Sequence, residues 1–167
     1  MAEAFSFLSA LYFRGKIAYA RRFARPPAEL AAEAGIWVIA PGYGLVPPEW
    51  ALTGERWRRL RRTPVDLGSR AYTRPLAAHA AELAMRLGEA HVILLGSVAT
   101  GKYVDLLQPA FGERLVFPRC FAGLGDMSRG SLLLRAAASG VELAYAGLDE
   151  PRRRPRPTPP PAAPVAP

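Results

Sequence analysis

The sequence contains little cysteine, histidine or lysine. One cysteine in 167 residues excludes a disulfide scaffold and any metal site with several cysteine ligands. Two histidines are too few for a histidine-rich metal centre, so the sequence predicts no metal and no other cofactor. No apolar run reaches the roughly 18 residues of a membrane span, and the N-terminal residues lack the basic start of a signal peptide. We therefore expect a cytoplasmic protein without a membrane partner, in which Cys120 is a reduced thiol.

Arginine, in contrast, is abundant: it supplies 20 of the 22 basic residues, and the net charge is +8. Four arginines lie in residues 151–167, together with eight of the 17 prolines. A segment of this composition has nothing to bury. We therefore expect one α/β domain over residues 1–148 and a disordered tail, rich in proline and arginine, over residues 149–167. The extended tail is a candidate for docking a protein partner.

Short apolar runs alternate with amphipathic segments before the tail. Strands are predicted over residues 36–40, 91–95, 114–117 and 141–146. Helices are predicted over residues 14–24, 28–34, 53–62, 72–87 and 128–139, with a further helix from residue 102. This order predicts an α/β fold of three layers, in which helices cover both faces of a mainly parallel, Rossmann-like sheet of four or five strands.

Ligands bind open parallel sheets beyond the carboxyl ends of the strands. Three loops rich in glycine and polar residues occupy such positions: residues 41–50, 96–103 and 118–131. The sequence therefore predicts that a binding site is built from these three loops.

The second loop has the spacing of a phosphate-binding loop, with two glycines around four residues and then a lysine. Backbone amides at the start of the following helix would favour an anion. Tyr103 stands where a serine or threonine hydroxyl should hold magnesium, which argues against an ordinary triphosphatase. The candidate ligand-binding residues of this second loop are Gly96, Ser97, Thr100, Gly101, Lys102 and Tyr103. A plain strand-to-helix turn is the alternative.

The third loop places small residues and one arginine before a helix. Ser128 and Arg129 are candidate ligand-binding residues, because an arginine can clamp a phosphate or a carboxylate. Asp126 is a candidate catalytic acid or base. The alternative is a capped helix, in which Asp126 or Ser128 satisfies the free amides of the first turn.

The first loop combines two aromatic residues with one carboxylate. Tyr43 and Trp50 could stack on a nucleobase, and Gly44 is a candidate ligand-binding residue beside them. Glu49 is the second candidate catalytic acid or base. The alternative is a rigid turn with half-buried aromatic side chains.

Five arginines fall within residues 56–62, on a predicted helix. Arg56, Arg58, Arg59 and Arg62 are candidate nucleic-acid-binding residues, since guanidinium groups pair well with phosphates. The alternative is an arginine-rich composition with no specific partner.

The order of several of these residues resembles a known group of proteins. A tyrosine and a short basic turn occur in residues 11–16, and an apolar strand precedes the Tyr-Gly-Leu-x-x-Pro loop that begins at Tyr43. This order resembles a small uncharacterised bacterial family, and it is similar to peroxide-stress YaaA-like proteins and to the glycosylase-like domain of archaeosine synthases. The resemblance spans about residues 11–147. It implies a compact three-layer fold and a nucleic-acid or nucleobase context, and it transfers no catalytic residue.

Two functional hypotheses follow. In the first, the chain binds a nucleotide or a base of a nucleic acid, and in an enzymatic form it processes that base as a glycosylase or transglycosylase does. Lys102 and Arg129 would then hold phosphate, and Tyr43 or Tyr103 would stack on the base. In the second, the chain is a non-enzymatic interaction module that uses the arginine helix and the proline tail.

Overall fold

The computed structural model describes residues 11–28, 30, 35–99, 101–121 and 123–148. Most of the predicted helix over residues 28–34 and all of the predicted tail over residues 149–167 lie outside these ranges. The helices are α1 (Leu11–Phe23), α2 (Gly54–Arg62), α3 (Arg70–Arg86), α4 (Gly101–Phe111) and α5 (Asp126–Ser139). The strands are β1 (Val38–Ala40), β2 (Gly44–Val46), β3 (Val92–Ile93), β4 (Leu115–Pro118) and β5 (Tyr145–Gly147). Helices and short strands are thus mixed along the chain, as an α/β class requires.

The strands pair in a way that the sequence does not predict. β1 and β2 form a separate antiparallel hairpin, and β4 pairs with β3 in parallel and with β5 in antiparallel orientation. One parallel pair therefore replaces the expected mainly parallel sheet. The hairpin arises because Gly42 and Gly44 adopt positive φ angles of 83° and 78°, which reverse the chain within a predicted loop. The helix that connects β4 to β5, α5, packs on α1.

Helices α1 and α5 touch through their main chains at two glycines. A Cβ atom on Gly15 would lie 2.6 Å from the carbonyl oxygen of Gly130. A Cβ atom on Gly130 would lie 2.7 Å from both the Cα and the backbone nitrogen of Tyr12. Only hydrogen fits at either position. The crossing therefore brings the first turns of the two helices side by side.

The core has two parts, and α1 contributes to both of them. The larger part surrounds Tyr19, Tyr72 and Phe121, which are almost completely buried. The smaller part joins Ile17 of α1 to the β1–β2 hairpin and to Leu60 of α2. None of the helices in the described ranges has the length and hydropathy needed to cross a membrane.

Candidate functional site

The carboxyl ends of β3 and β4 lie at one edge of the sheet, because these two strands are parallel. Helices α1 and α5 are hydrogen-bonded to the segments that leave this edge. The Tyr12 hydroxyl donates to the carbonyl oxygen of Leu95 at 3.2 Å. Arg129 donates from Nε and Nη2 to the carbonyl oxygen of Phe121, at 3.3 and 3.1 Å. The edge that topology selects for ligand binding is therefore covered by side chains of two helices.

Lys16 is a second cationic residue near this edge, beside Arg129, and it lies one helical turn after Tyr12. Its Nζ lies 4.0 Å from the centre of the Tyr12 ring. No carboxylate of the described residues is within 4 Å of it. Burial lowers the pKa of the Lys16 ammonium to about 8, although Asp126 raises it in part. Lys16 is therefore mostly protonated at pH 7, with its charge poorly solvated and without a counter-ion among the described residues.

Two tyrosines share the electrostatic environment of Lys16. Burial raises the pKa of Tyr12, and Arg129 opposes this shift by lowering it. Burial also raises the pKa of Tyr103, and the negative charge of Asp126 adds to that effect. Both phenols are therefore neutral at ordinary pH. The Tyr12 hydroxyl already donates to Leu95 and is left as an acceptor, whereas a neutral phenol such as Tyr103 can donate or accept.

A cavity of about 640 Å³ adjoins this cluster, between α1, β1 and β3. Lys16, Gly96 and Tyr103 contribute to its wall, and so do the aromatic side chains of Phe13 and Trp37. Most of the remaining wall is aliphatic. The volume and the mixture of apolar surface with a few polar groups are typical of small-molecule sites.

A chain of hydrogen bonds contributes a second polar group to the same wall. Tyr145 donates to Glu142 at 2.8 Å, so the hydroxyl of Tyr19, 2.7 Å away, must donate to Tyr145. The backbone N–H of Leu143 donates to the Tyr19 oxygen at 2.9 Å. Arg25 pairs with Glu142 at 3.1 Å, which balances the carboxylate charge. Among the described charged residues of the wall, Lys16 is thus the one without a counter-ion.

The second predicted loop reaches the cavity in part. Gly96 and Tyr103 line it, whereas the described part of the wall does not include Lys102. The Lys102 ammonium lies 5.5 Å from the centre of the Tyr103 ring. The backbone carbonyl oxygen of Lys102 accepts a hydrogen bond from the Tyr72 hydroxyl at 2.8 Å. Gly101 is the first residue of α4, the Ser97 hydroxyl accepts from the amide of Ala99, and Thr100 lies outside the described residues.

The third predicted loop contributes Asp126 and Arg129 to the Lys16 cluster, but not as free groups. Arg129 is only 7 % exposed, and its Nη1 lies 3.5 Å from the Asp126 carboxylate. Its guanidinium therefore fixes the turn before α5 instead of facing an open site. Ser128 does not cap the helix, because α5 already begins at Asp126 and the capping position belongs to Gly125. A carboxylate in the first turn suits the helix dipole.

The first predicted loop packs on α2, away from Lys16. The rings of Tyr43 and Trp50 are 4.8 Å apart, and Arg59 lies over Tyr43 at 4.6 Å. Glu49 is exposed and pairs with Arg21 at 3.4 Å. Pro41 and Leu45 of this loop line the cavity, whereas the described part of its wall contains none of Tyr43, Gly44 and Glu49.

Several residues of the cluster and cavity escape the sequence-based prediction: Tyr12, Lys16, Tyr19, Trp37, Glu142 and Tyr145. One signal was available. Tyr12, Lys16 and Tyr19 follow the spacing i, i+4, i+7, which places a lysine on a helix face with two tyrosines.

No protein family model, no curated protein and no solved structure matches the chain. The resemblance to YaaA-like proteins and to the domain of archaeosine synthases therefore stays a prediction.

Proposed function

We propose that the chain binds a nucleotide, or a nucleobase with an anionic substituent, in the cavity beside Lys16. Lys16 belongs to the cavity wall, and its ammonium has no counter-ion among the described residues; this observation carries the proposal. A buried charge without a partner is unfavourable. An anionic group next to Nζ would act as the counter-ion of Lys16 and remove that penalty in the bound state. Binding of an anion is therefore favoured.

The other walls favour a flat ring on the same ligand. Trp37, Tyr103 and Phe13 present aromatic surface to the cavity. Aromatic faces stack on any nucleobase, because every base has a π-face. The Tyr145–Glu142 pair supplies a hydroxyl and a carboxylate that could bond to the polar edge of a base.

The enzymatic form of this proposal, a glycosylase-like or transglycosylase-like reaction, needs an acid or base next to the ligand. Asp126 and Glu49, the two candidates from sequence, do not belong to the described part of the wall. Each is paired with an arginine, as Glu142 is with Arg25, so ion pairing does not separate the three carboxylates. Glu142 is the carboxylate that the described wall contributes. We therefore assign Glu142 this role if the bound base is processed. The alternative is a non-enzymatic interaction module that uses the arginine helix and the proline tail, and the tail lies outside the described residues.

Separate substitution of each of the two lysines of the chain by glutamine tests the proposal. A nucleoside 5′-monophosphate at a hundred times its Kd should stabilise the full chain by about 2.7 kcal/mol. Lys16→Gln should weaken its binding by about 10- to 100-fold, the effect of losing a charge-assisted hydrogen bond of about 1.5–3 kcal/mol. Lys102→Gln should leave the affinity unchanged. Titration calorimetry with the nucleobases, nucleosides and monophosphates measures all three proteins.

The pH dependence of binding provides an independent check. Lys16 loses its proton as the pH rises through about 8, so the affinity of a monophosphate should fall above that value. A neutral nucleoside should show no such fall. Loss of binding in Lys102→Gln alone would move the site to the phosphate-loop spacing. Absence of binding by every compound would refute the proposal.

A further inference from the structure

Helix α2 carries an arginine face that the cavity does not use. We define this face as Arg56, Arg58, Arg59, Arg61 and Arg62. The helix has nine residues and one acidic residue, Glu55. Arginines at positions i and i+4 repel each other and destabilise an isolated helix. The face therefore concentrates positive charge at an energetic disadvantage to the free protein.

Two of these arginines are held in place by neighbouring aromatic rings. Arg56 lies over Trp50 at 4.4 Å and donates to the carbonyl oxygen of Ala51 at 2.6 Å. Arg59 lies over Tyr43 at 4.6 Å and donates to the carbonyl oxygen of Gly42 at 2.9 Å. Each contact leaves other N–H groups of the guanidinium free to bond. These two guanidinium groups are therefore fixed before any partner arrives.

The other arginines are less constrained. Arg58 makes one bond, to the carbonyl oxygen of Gly54 at 3.2 Å. Arg61 and Arg62 are exposed and make no hydrogen bond or ion pair with the described residues. Arg58, Arg59 and Arg62 also border a shallow indentation of about 280 Å³, which Glu55 and Thr63 complete. Three arginine side chains thus border one space.

We propose that the arginine face binds the phosphodiester backbone of a nucleic acid. A polyanion would engage several guanidinium groups at once and would relieve their mutual repulsion. The planar fork of arginine matches the oxygens of a phosphate, and the fixed Arg–aromatic layers offer flat surfaces beside it on which a base could stack. An acidic peptide would supply negative charge but no flat rings for these layers. The proposal is independent of the cavity and rests on none of the residues that the proposed function uses.

The salt dependence of oligonucleotide binding tests this proposal. Fluorescence anisotropy of the full chain with labelled single-stranded RNA, single-stranded DNA and duplex DNA gives the slope of log K against log salt concentration. This slope is negative, and each lost phosphate contact reduces its magnitude by about 0.7 for single strands and about 0.9 for duplex DNA. The double variant Arg58→Gln/Arg62→Gln should therefore reduce the magnitude of the slope by about 1.4 to 1.8. It should also reduce the affinity at low salt by at least tenfold.

A matched double variant separates a specific surface from net charge. Arg74 and Arg135 are exposed arginines of α3 and α5. Arg74→Gln/Arg135→Gln removes the same charge and should keep the slope and the affinity. Equal losses in the two double variants would overturn the proposal, because net charge alone would then explain binding. Equally strong competition by polyglutamate would assign the face to an acidic polypeptide instead. Circular dichroism of each variant verifies that it is folded.

Discussion

Replacement of Lys16 by methionine is expected to stabilise the chain against unfolding at pH 7. Burial holds the pKa of Lys16 at about 8 instead of the ordinary 10.5. A shift of this size corresponds to a penalty of about 3 kcal/mol, which the protonated amine imposes on the folded state. Loss of the contact with the Tyr12 ring offsets about 1 kcal/mol of the gain. We therefore expect Lys16→Met to raise the free energy of unfolding by about 2 kcal/mol, measured by urea denaturation.

The same shift predicts the pH dependence of stability. Below pH 8 Lys16 is protonated in both states, and the penalty is constant. Between about 8 and 10.5 Lys16 binds more protons in the unfolded chain than in the folded chain, so its contribution to stability rises with pH. Lys16→Met should lack this rise. Above pH 10 the raised pKa values of the buried tyrosines act in the opposite direction, because the folded chain then holds more protons.

Lys102→Met is the matched control. Lys102 is at the start of α4 and does not belong to the described wall of the cavity. Its removal should change the free energy of unfolding by less than about 0.5 kcal/mol and should preserve the rise above pH 8. If Lys16→Met is less stable than the parent chain, or keeps the rise, the amine is not desolvated. A stabilised Lys16→Met that binds no ligand would indicate that stability is exchanged for function at this residue.

The sequence predicts local structure well where one short segment contains the whole signal. Gly140 follows the apolar segment of α5 and adopts the left-handed conformation that commonly ends a helix, with a φ angle of 71°. The rule for parallel strands also has a local success. It directs attention to the edge where Tyr103, Asp126 and Arg129 meet, because β3 and β4 are in fact parallel.

The sequence does not predict which distant segment completes that edge. Tyr12 bonds to Leu95, 83 positions further along the chain. Lys16 reaches the same place only because α1 crosses α5 at Gly15 and Gly130. No local pattern indicates this crossing, since two isolated glycines in helical segments do not show that they face each other. The central cation of the candidate site was therefore missed.

Sequence also does not distinguish a side chain that binds a ligand from one that binds its own fold. Arg129 and Tyr43 are chemically suited to phosphate and base, and both are used internally, by Phe121 and by Arg59 respectively. Whether such a side chain binds a ligand depends on how well the ligand competes with the internal partner, which is a backbone carbonyl for Arg129 and a neighbouring side chain for Tyr43. That competition is decided by tertiary distances, which composition and spacing do not contain.

Replacement of Gly130 by alanine is expected to destabilise the chain, although alanine is the better helix former. The added Cβ would lie 2.7 Å from main-chain atoms of Tyr12, which cannot rotate away as a side chain could. Overpacking of this kind costs about 3 kcal/mol, against a gain in helix propensity of about 1 kcal/mol. We therefore expect a loss of about 2 kcal/mol in urea denaturation. Gly54→Ala is the control, since nothing lies within 4 Å of its Cβ position and no loss is expected.

The crossing also predicts how two alanines combine. Gly15→Ala should destabilise the chain for the same reason, because its Cβ would contact the carbonyl oxygen of Gly130 at 2.6 Å. Once the helices have separated to admit one methyl group, much of the space for the second is already present. The double variant should therefore lose less than the sum of the single losses, by at least about 0.5 kcal/mol. Additive losses would show that the glycines act separately, and the close crossing that places Lys16 beside α5 would then be wrong.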